Sequence, residues 1–163
     1  MDNYDFLDIP DAERIQAMNA AFPSANSDNI LAFIAFQHVY QQVDTEYATL
    51  LQDYGLSESR FLILMFLRRS GAAGLSPSDI AVKLNSAKPM GSKLIHGMIQ
   101  TGLVAKKTDA KDLRRFNVQI TSKGSQQLDR FLPVNFDYLN HLFHGLTTEE
   151  KFQLNRLLAK LLR

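Results

Sequence analysis

The stretch from Leu75 to Gly124 limits what the chain can fold into more than any other. It opens on Ser76-Pro77-Ser78-Asp79. Ser76 can accept a hydrogen bond as N-cap, Pro77 suits the first helical position, and Asp79 answers the cap three residues on. The helix begun there turns Ile80, Ala81 and Leu84 inward and stops near Asn85. A second helix starts at once. Ser86 is placed to cap it, and Pro89 falls in its first turn, where a missing N–H costs little. Leu94, Ile95, Met98 and Ile99 recur at helical spacing, and Gly102 closes the helix. Two short helices joined by so tight a turn form a helix-turn-helix. Leu103-Val104-Ala105-Lys106-Lys107 then reads as a strand and residues 108–115 as a polar, basic turn. Phe116-Asn117-Val118-Gln119-Ile120 alternates with the period of two of a half-buried strand, and Thr121 caps a further helix. Helix, helix, strand, basic loop, strand is the plan of a winged helix, with Gly74-Leu75 supplying a short third strand.

The charge follows the same division. The whole chain carries +1, but residues 1–56 carry −8, residues 57–124 carry +8 and residues 125–163 carry +1. A basic middle behind an acidic start is the footprint of a nucleic-acid-binding face. The chain has no cysteine, which excludes disulfides, thiolate metal ligands and thiol redox sensing. Its longest apolar run, Phe61 to Leu67, is far too short to span a bilayer. The N-terminus is acidic and lacks the charged-then-apolar order of a secretory signal, so the expectation is a cytoplasmic protein with no membrane partner. There is no glycine-rich phosphate loop, no G-x-S-x-G and no H-E-x-x-H, and neither an enzyme nor a cofactor is expected.

The order and spacing of this stretch resemble the MarR family of bacterial regulators. The resemblance is carried by Gly102-Leu103-Val104, Asp109, Asp112-Leu113-Arg114 and Val118-Gln119-Ile120-Thr121-Ser122-Lys123-Gly124. These stand where the family has its G-L-V strand, its aspartate-rich turn with D-x-R, and V-x-L-T-x-K-G. Leu113 departs from the arginine common there, and Pro89 from a frequent threonine. Phe131-Leu132-Pro133 and Leu146-Thr147-Thr148-Glu149-Glu150-Lys151 are similar to the subgroup that represses multidrug efflux pumps. The resemblance implies a ligand-responsive repressor that binds a near-palindromic operator in double-stranded DNA as an obligate homodimer.

The flanks agree with a helical dimer. Residues 1–26 read as an acidic leader with a short amphipathic helix, about Asp11 to Phe22, between Pro10 and Pro23. A long helix runs from Asp28 to about Tyr54, apolar on more than one side, and such a helix must be covered on more than one side. Ser57 caps a helix that ends near Gly71 and serves as support beneath the helix-turn-helix. The helix after Thr121 meets Pro133, which should kink or break it, and continues to Gly145. Thr147 to Glu150 is a capping box for the last helix, rich in Phe152, Leu157, Leu158, Leu161 and Leu162. The fold class is mainly α with a small β wing. Residues 57–124 form the DNA-binding lobe, and 27–56 with 125–163 form a helical dimerisation module.

The candidate DNA contacts lie on the second helix and the wing. The helix from Ser86 exposes Lys88, Gly91, Ser92 and Lys93 near its start, and Ala87 and Pro89 can meet a thymine methyl. In the family, the residues aligned with Lys88, Pro89, Ser92 and Lys93 face the major groove. The resemblance further implies that Arg114 enters the minor groove and that Asp112 holds it, with Lys111 and Arg115 on phosphates. Ser86 completes the set at the helix start. Family effectors bind where the dimerisation helices meet the DNA-binding lobe, so Phe33, Phe36, Tyr40, Phe61, Met65 and Phe136 are the candidate lining for a small aromatic or amphipathic effector. His38, His141 and His144 raise a metal-responsive alternative, although two histidines three apart without a third ligand are a weak metal signal and no metal site is assigned. A winged helix that serves as a protein-interaction module without DNA binding is the other alternative.

Overall fold

A computed structural model describes Glu13, Arg14, Phe22, residues 26–108 and residues 116–162, with the backbone alone at Lys88 and Thr108. The expected leader helix therefore lies outside the described residues apart from Glu13, Arg14 and Phe22, of which Glu13 and Arg14 are helical. The chain divides into two compact units, residues 1–50 and 51–163.

The first unit holds most of α1 (Ser27–Asp53). Asn26 caps it, its Oδ1 accepting from the Asn29 N–H at 3.0 Å, so the helix starts just before the expected Asp28. The rings of Phe36 and Tyr40, one turn apart, stack with centroids 6.3 Å apart. Phe33, Phe36, Val39 and Tyr40 are exposed.

The second unit begins within the last turn of α1. Gly55 takes φ +66, and the N–H groups of Gly55 and Leu56 return to the carbonyls of Gln52 and Leu51, the double closure of a left-handed helix stop. α2 (Glu58–Ser70) follows, capped by the Ser57 hydroxyl. It buries Phe61, Ile63, Leu64 and Leu67, while Leu62 and Phe66 are half-buried and Met65 is 37% exposed. The support helix is thus not buried all round. A 3₁₀ turn (Gly71–Ala73), unannounced by the sequence pattern, leads to Leu75. α3 (Pro77–Lys83) has the expected Ser76 cap, whose Oγ accepts from the Asp79 N–H at 3.1 Å. Asn85 then adopts φ +49, and the Ser86 N–H bonds the Ala81 carbonyl at 3.0 Å. Asparagine is one of the few residues with a side chain that visits this region readily, and here it makes the turn of the helix-turn-helix.

α4 (Lys88–Gln100) is capped by the backbone at Ala87, not by Ser86. The Ser86 hydroxyl is turned inward and has no hydrogen-bond partner. Gly102, with φ +73, ends α4, and the Leu103 N–H reaches back to Met98 at 2.9 Å. β1 (Val104–Thr108) and β2 (Phe116–Ile120) pair antiparallel with Val104 opposite Ile120 and Lys106 opposite Val118. Leu75 forms the third strand as a single bridge, exchanging bonds of 3.0 and 2.8 Å with Val118.

The polar residues of the wing strands are not idle on its outer face. Lys107 Nζ and the Gln119 amide donate to the Ala72 carbonyl, and Asn117 Nδ2 donates to that of Ala73. They satisfy the 3₁₀ turn, whose carbonyls a continuing helix would have paired.

α5 (Ser122–Leu142) starts at its Thr121 cap and runs through Pro133 without a break. The ring of Pro133 is exposed, and the bonds on either side carry the helix past one missing donor. Leu128 and Phe131 are buried, and Phe131 meets Phe61 edge-on at 5.1 Å and Tyr54 at 5.6 Å. Arg68 ties α2 to α5, with Nη1 2.7 Å from Asp129 Oδ1 and Nη2 donating to the Ser125 carbonyl at 3.1 Å. α6 (Thr148–Leu161) opens on the expected capping box of Thr147 and Glu150 and has no buried residue. The core of this unit therefore lies between α2, α3, α4, the wing and the first half of α5.

Candidate nucleic-acid interface

What positions the surface of α4 is the closeness of α3. Gly91 is buried, and a β-carbon there would stand 3.2 Å from that of Ala81. Two small residues let the helices touch, and Ile95 and Met98 continue the same inward face. The opposite face carries Pro89, Met90, Ser92, Lys93, His96 and Gln100, all exposed. Met90 is 62% exposed, too much for a core residue. On α3, Val82 is also exposed.

The second wall of the surface is the wing. Lys106 Nζ lies 4.7 Å from the ring centroid of Phe116 on the neighbouring strand, close enough for cation–π attraction to hold the ammonium. Between α4 and the wing is a cleft of about 120 Å³ lined by Pro77, Ser92, Ile95, His96, Ile99, Lys106 and Phe116. His96 Nε2 is 3.1 Å from Gln100 Nε2, which fixes the ring along the helix. The start of α4 has no side-chain cap, so its first N–H groups are not taken by a side chain.

The expected DNA contacts are distributed unevenly. Pro89, Ser92 and Lys93 share the exposed face of α4. Gly91 does not: it faces α3, because α4 can approach Ala81 only where a residue lacks a side chain. Ser86 also turns inward, since the chain enters α4 one residue later than a serine cap would have it. The backbone of Lys88 is the first residue of α4. Lys111, Asp112, Arg114 and Arg115 lie outside the described residues. The expected contacts missed His96 and Gln100, although the spacing Pro89, Ser92/Lys93, His96, Gln100 is a helical stripe in the sequence itself that points to them. Lys106 had no such signal, because strand alternation says which face it takes but not that the face borders α4.

The candidate effector lining falls in both units. Phe33, Phe36 and Tyr40 belong to the first, Phe61, Met65 and Phe136 to the second. Phe61 is a core residue packed on Phe131, while Phe136 is 56% exposed. The rings of His141 and His144 stack at 5.3 Å, and His144 Nδ1 lies 2.7 Å from the His141 carbonyl. Among the described residues no group of three or more histidine, aspartate or glutamate side chains is placed to hold a metal ion. Among them, too, no helix is long and apolar enough to cross a membrane.

A helix-turn-helix backed by a support helix and followed by an antiparallel wing defines a winged-helix protein. Residues 54–115 match the model of the MarR family. The chain is 24% identical to the transcriptional repressor YetL of Bacillus subtilis over 153 residues, 94% of this chain and 92% of the other. It is 27% identical to the transcriptional repressor MprA of Escherichia coli over 113 residues, 69% of this chain and 64% of that one. In fold it is similar to MepR of Staphylococcus aureus in a complex with DNA, with a TM-score of 0.70, 24% identity and coverage of 79% of this chain and 94% of that one. A mutant of MarR from Escherichia coli gives a TM-score of 0.62 at 22% identity, covering 79% and 94%. The chain is a winged-helix protein, and its residues 54–115 are similar to the MarR family.

Proposed function

We propose that the chain is a repressor that binds a near-palindromic operator as a homodimer in the cytoplasm and leaves it when a small aromatic or amphipathic effector binds. One observation carries the reading. The exposed face of α4 presents Pro89, Met90, Ser92, Lys93 and His96, while Gly91, Ile95 and Met98 lock the opposite face into the lobe. A rigid helix with a polar, basic outer stripe and an uncapped start fits a major groove, where bases are read by side chains and phosphates by N–H groups and cations. YetL and MprA are named as repressors, and the MepR structure contains DNA.

In this reading Lys88, Pro89, Ser92 and Lys93 meet the major groove. Pro89 offers no hydroxyl, so it reads by apolar contact, with Met90 beside it. Arg114 enters the minor groove, steadied by Asp112, and Lys111 and Arg115 hold phosphates. Two recognition helices in a dimer would address half-sites about one helical turn apart. Residues 27–56 and 125–163 supply the dimer contacts, and the exposed Phe136, Leu139, Phe152, Leu157 and Leu161 support that role. The effector would act by population shift, favouring a spacing of the two lobes that misfits the operator in proportion to its differential affinity.

A fluorescence-anisotropy titration against the DNA flanking its own gene, at low and moderate salt, tests the reading, with Arg114→Ala alongside. Tight, salt-sensitive binding that resists competitor and weakens in the variant is the expected result. Binding no tighter than to random DNA, there and in a genome-wide selection of bound fragments, would leave the interaction module as the better reading.

A further inference from the structure

The cleft between α4 and the wing has a composition that apolar packing does not explain. Its floor is Ile95, Ile99 and Phe116, but its rim is Ser92, His96 and Lys106, all exposed. At about 120 Å³ it is well below the roughly 300–1,000 Å³ of pockets that enclose drug-sized ligands. It has room for one small charged group.

The geometry of a duplex says which group would arrive there. A winged helix that puts α4 in a major groove and the wing in the next minor groove straddles the sugar-phosphate strand between them. That strand must cross the seam where helix and wing meet. The rim of the cleft lies on this seam and holds the three side chains able to donate to a phosphate.

We propose that this cleft seats a backbone phosphate of the operator, clamped between His96 of α4 and Lys106 of β1, and that operator binding thereby takes up a proton on His96. The inference rests on the DNA-binding reading above and adds to it a specific phosphate site and a pH dependence. Phe116 is the positioning residue: its ring holds the Lys106 ammonium at 4.7 Å and keeps it at the cleft. Gln100 serves His96 in both protonation states. Its amide nitrogen can donate to Nε2 of the neutral ring, and its amide oxygen, turned over, can accept from the imidazolium. Among the described residues, those that line the cleft bear no negative charge. Lys106 is the other charged side chain among the cleft lining, Lys93 lies three residues earlier on α4, and an Arg60 Nη2 of α2 comes within 3.9 Å of where a Gly97 β-carbon would be. Pro77 of α3 and Phe116 of β2 complete the walls without charge. A phosphate is then the anion that favours the imidazolium, and binding strengthens as pH falls.

The experiment measures operator affinity against salt at pH 5.8 and 8.0 for the full chain, His96→Asn and Lys106→Met, using an operator duplex recovered by selection and a scrambled duplex. Unfolding midpoints are measured for each variant. Each phosphate neutralised adds about 0.9 to the slope of log affinity against log salt. The expected result is tighter operator binding at pH 5.8 than at pH 8.0 for the unaltered chain, no such difference in His96→Asn, and a slope shallower by about 0.9 at pH 8.0 in Lys106→Met, where the one phosphate loses its cation. A merely structural role for His96 would shift the midpoint and leave the pH difference in place. If His96→Asn keeps the pH difference, or Lys106→Met keeps the slope, while the operator is still preferred over the scrambled duplex, the clamp is wrong and the DNA-binding reading stands. If the unaltered chain does not prefer the operator, both fall.

Discussion

The α-carbon of Gly124 faces the carbonyl oxygen of Leu103 so closely that a β-carbon would overlap it. The residues around Gly124 converge on the same corner. The Thr121 hydroxyl donates to the carbonyl of Gly102 at 2.7 Å and accepts from the Gly124 N–H at 3.0 Å. Lys123 Nζ donates to the carbonyl of Thr101 at 2.8 Å. Thr121, Lys123 and Gly124 therefore fasten the start of α5 to the point where α4 gives way to β1. The T-x-K-G of the sequence is a clasp that sets the angle between the recognition helix and the wing.

Gly124→Ala should open that clasp. The methyl has no room unless the Leu103 carbonyl moves, and overpacking of this kind costs about 1–3 kcal/mol. Gly145→Ala is the control, since nothing lies within 4 Å of its added carbon and its φ is not positive. That change should stay within about 0.5 kcal/mol. Denaturant midpoints measure both. Equal midpoints for the two variants would mean that the clasp is not what holds the corner.

Much of this lobe was legible because its signals are local. Ser76 and Pro77 start α3, Gly102 ends α4, and Val118 alternates with its polar neighbours, so each announces itself within a few residues. What the sequence hid depends on the third dimension. Ser86 has the chemistry of a cap, yet the left-handed turn at Asn85 places Ala87 at the cap position and folds Ser86 inward. Gly91 reads as exposed in the sequence because glycine has no hydropathy to betray its side, and only its approach to Ala81 shows that it is buried. Pro133 has the strongest local signal against a helix, and α5 passes through it because one lost donor in a 21-residue helix is outweighed by the packing of Leu128 and Phe131 before it. The pairing of Lys106 with the His96 side of α4 joins residues on different elements, which no periodicity reports.

The capping box at the start of α6 should make its stability depend on acid. The Thr147 N–H and then its hydroxyl, each 2.8 Å from Glu150 Oε2, hold the Glu150 carboxyl below its ordinary range. A carboxylate whose folded pKa is lowered contributes stability that is present above its unfolded pKa and lost as pH falls through the folded one. Thr147→Ala removes the hydroxyl that caps the Glu150 N–H and should cost about 1 kcal/mol at neutral pH. The difference between the variant and the unaltered chain should narrow as pH falls below the carboxylate range. Helix content followed by circular dichroism across that range measures it, and a difference that stays constant would mean that Glu150 takes no part.

Lys93 lies on the exposed face of α4, where its substitution distinguishes phosphate contact from base reading. Lys93→Ala should weaken binding to operator and unrelated duplexes by a similar factor and reduce the salt slope by about 0.9. Its unfolding midpoint should stay within about 0.5 kcal/mol of the unaltered chain. Anisotropy titrations on both duplexes give the answer. A loss confined to the operator would make Lys93 a base contact.

α6 has no buried residue, although Phe152, Leu157, Leu158 and Leu161 are all on it and Leu162 follows it. Leu157 and Leu161 are 55% and 69% exposed and stand one turn apart, so they share a face. A monomer leaves this apolar surface in water, whereas a partner chain would remove it at about 25 cal/mol per Å². In the proposed homodimer, Leu157→Asp with Leu161→Asp should give a monomer in sedimentation velocity and weaken operator binding sharply, because a single recognition helix meets only a half-site. The unaltered chain should show a thermal midpoint that rises with protein concentration, as mass action requires of a dimer whose folding and association are linked. The double variant should lose that dependence while its helix content at low temperature is retained. If it sediments as a dimer at the same concentration, the contact between copies runs through other residues, and the exposed face of α1 with Phe33 and Val39 would be the next to alter.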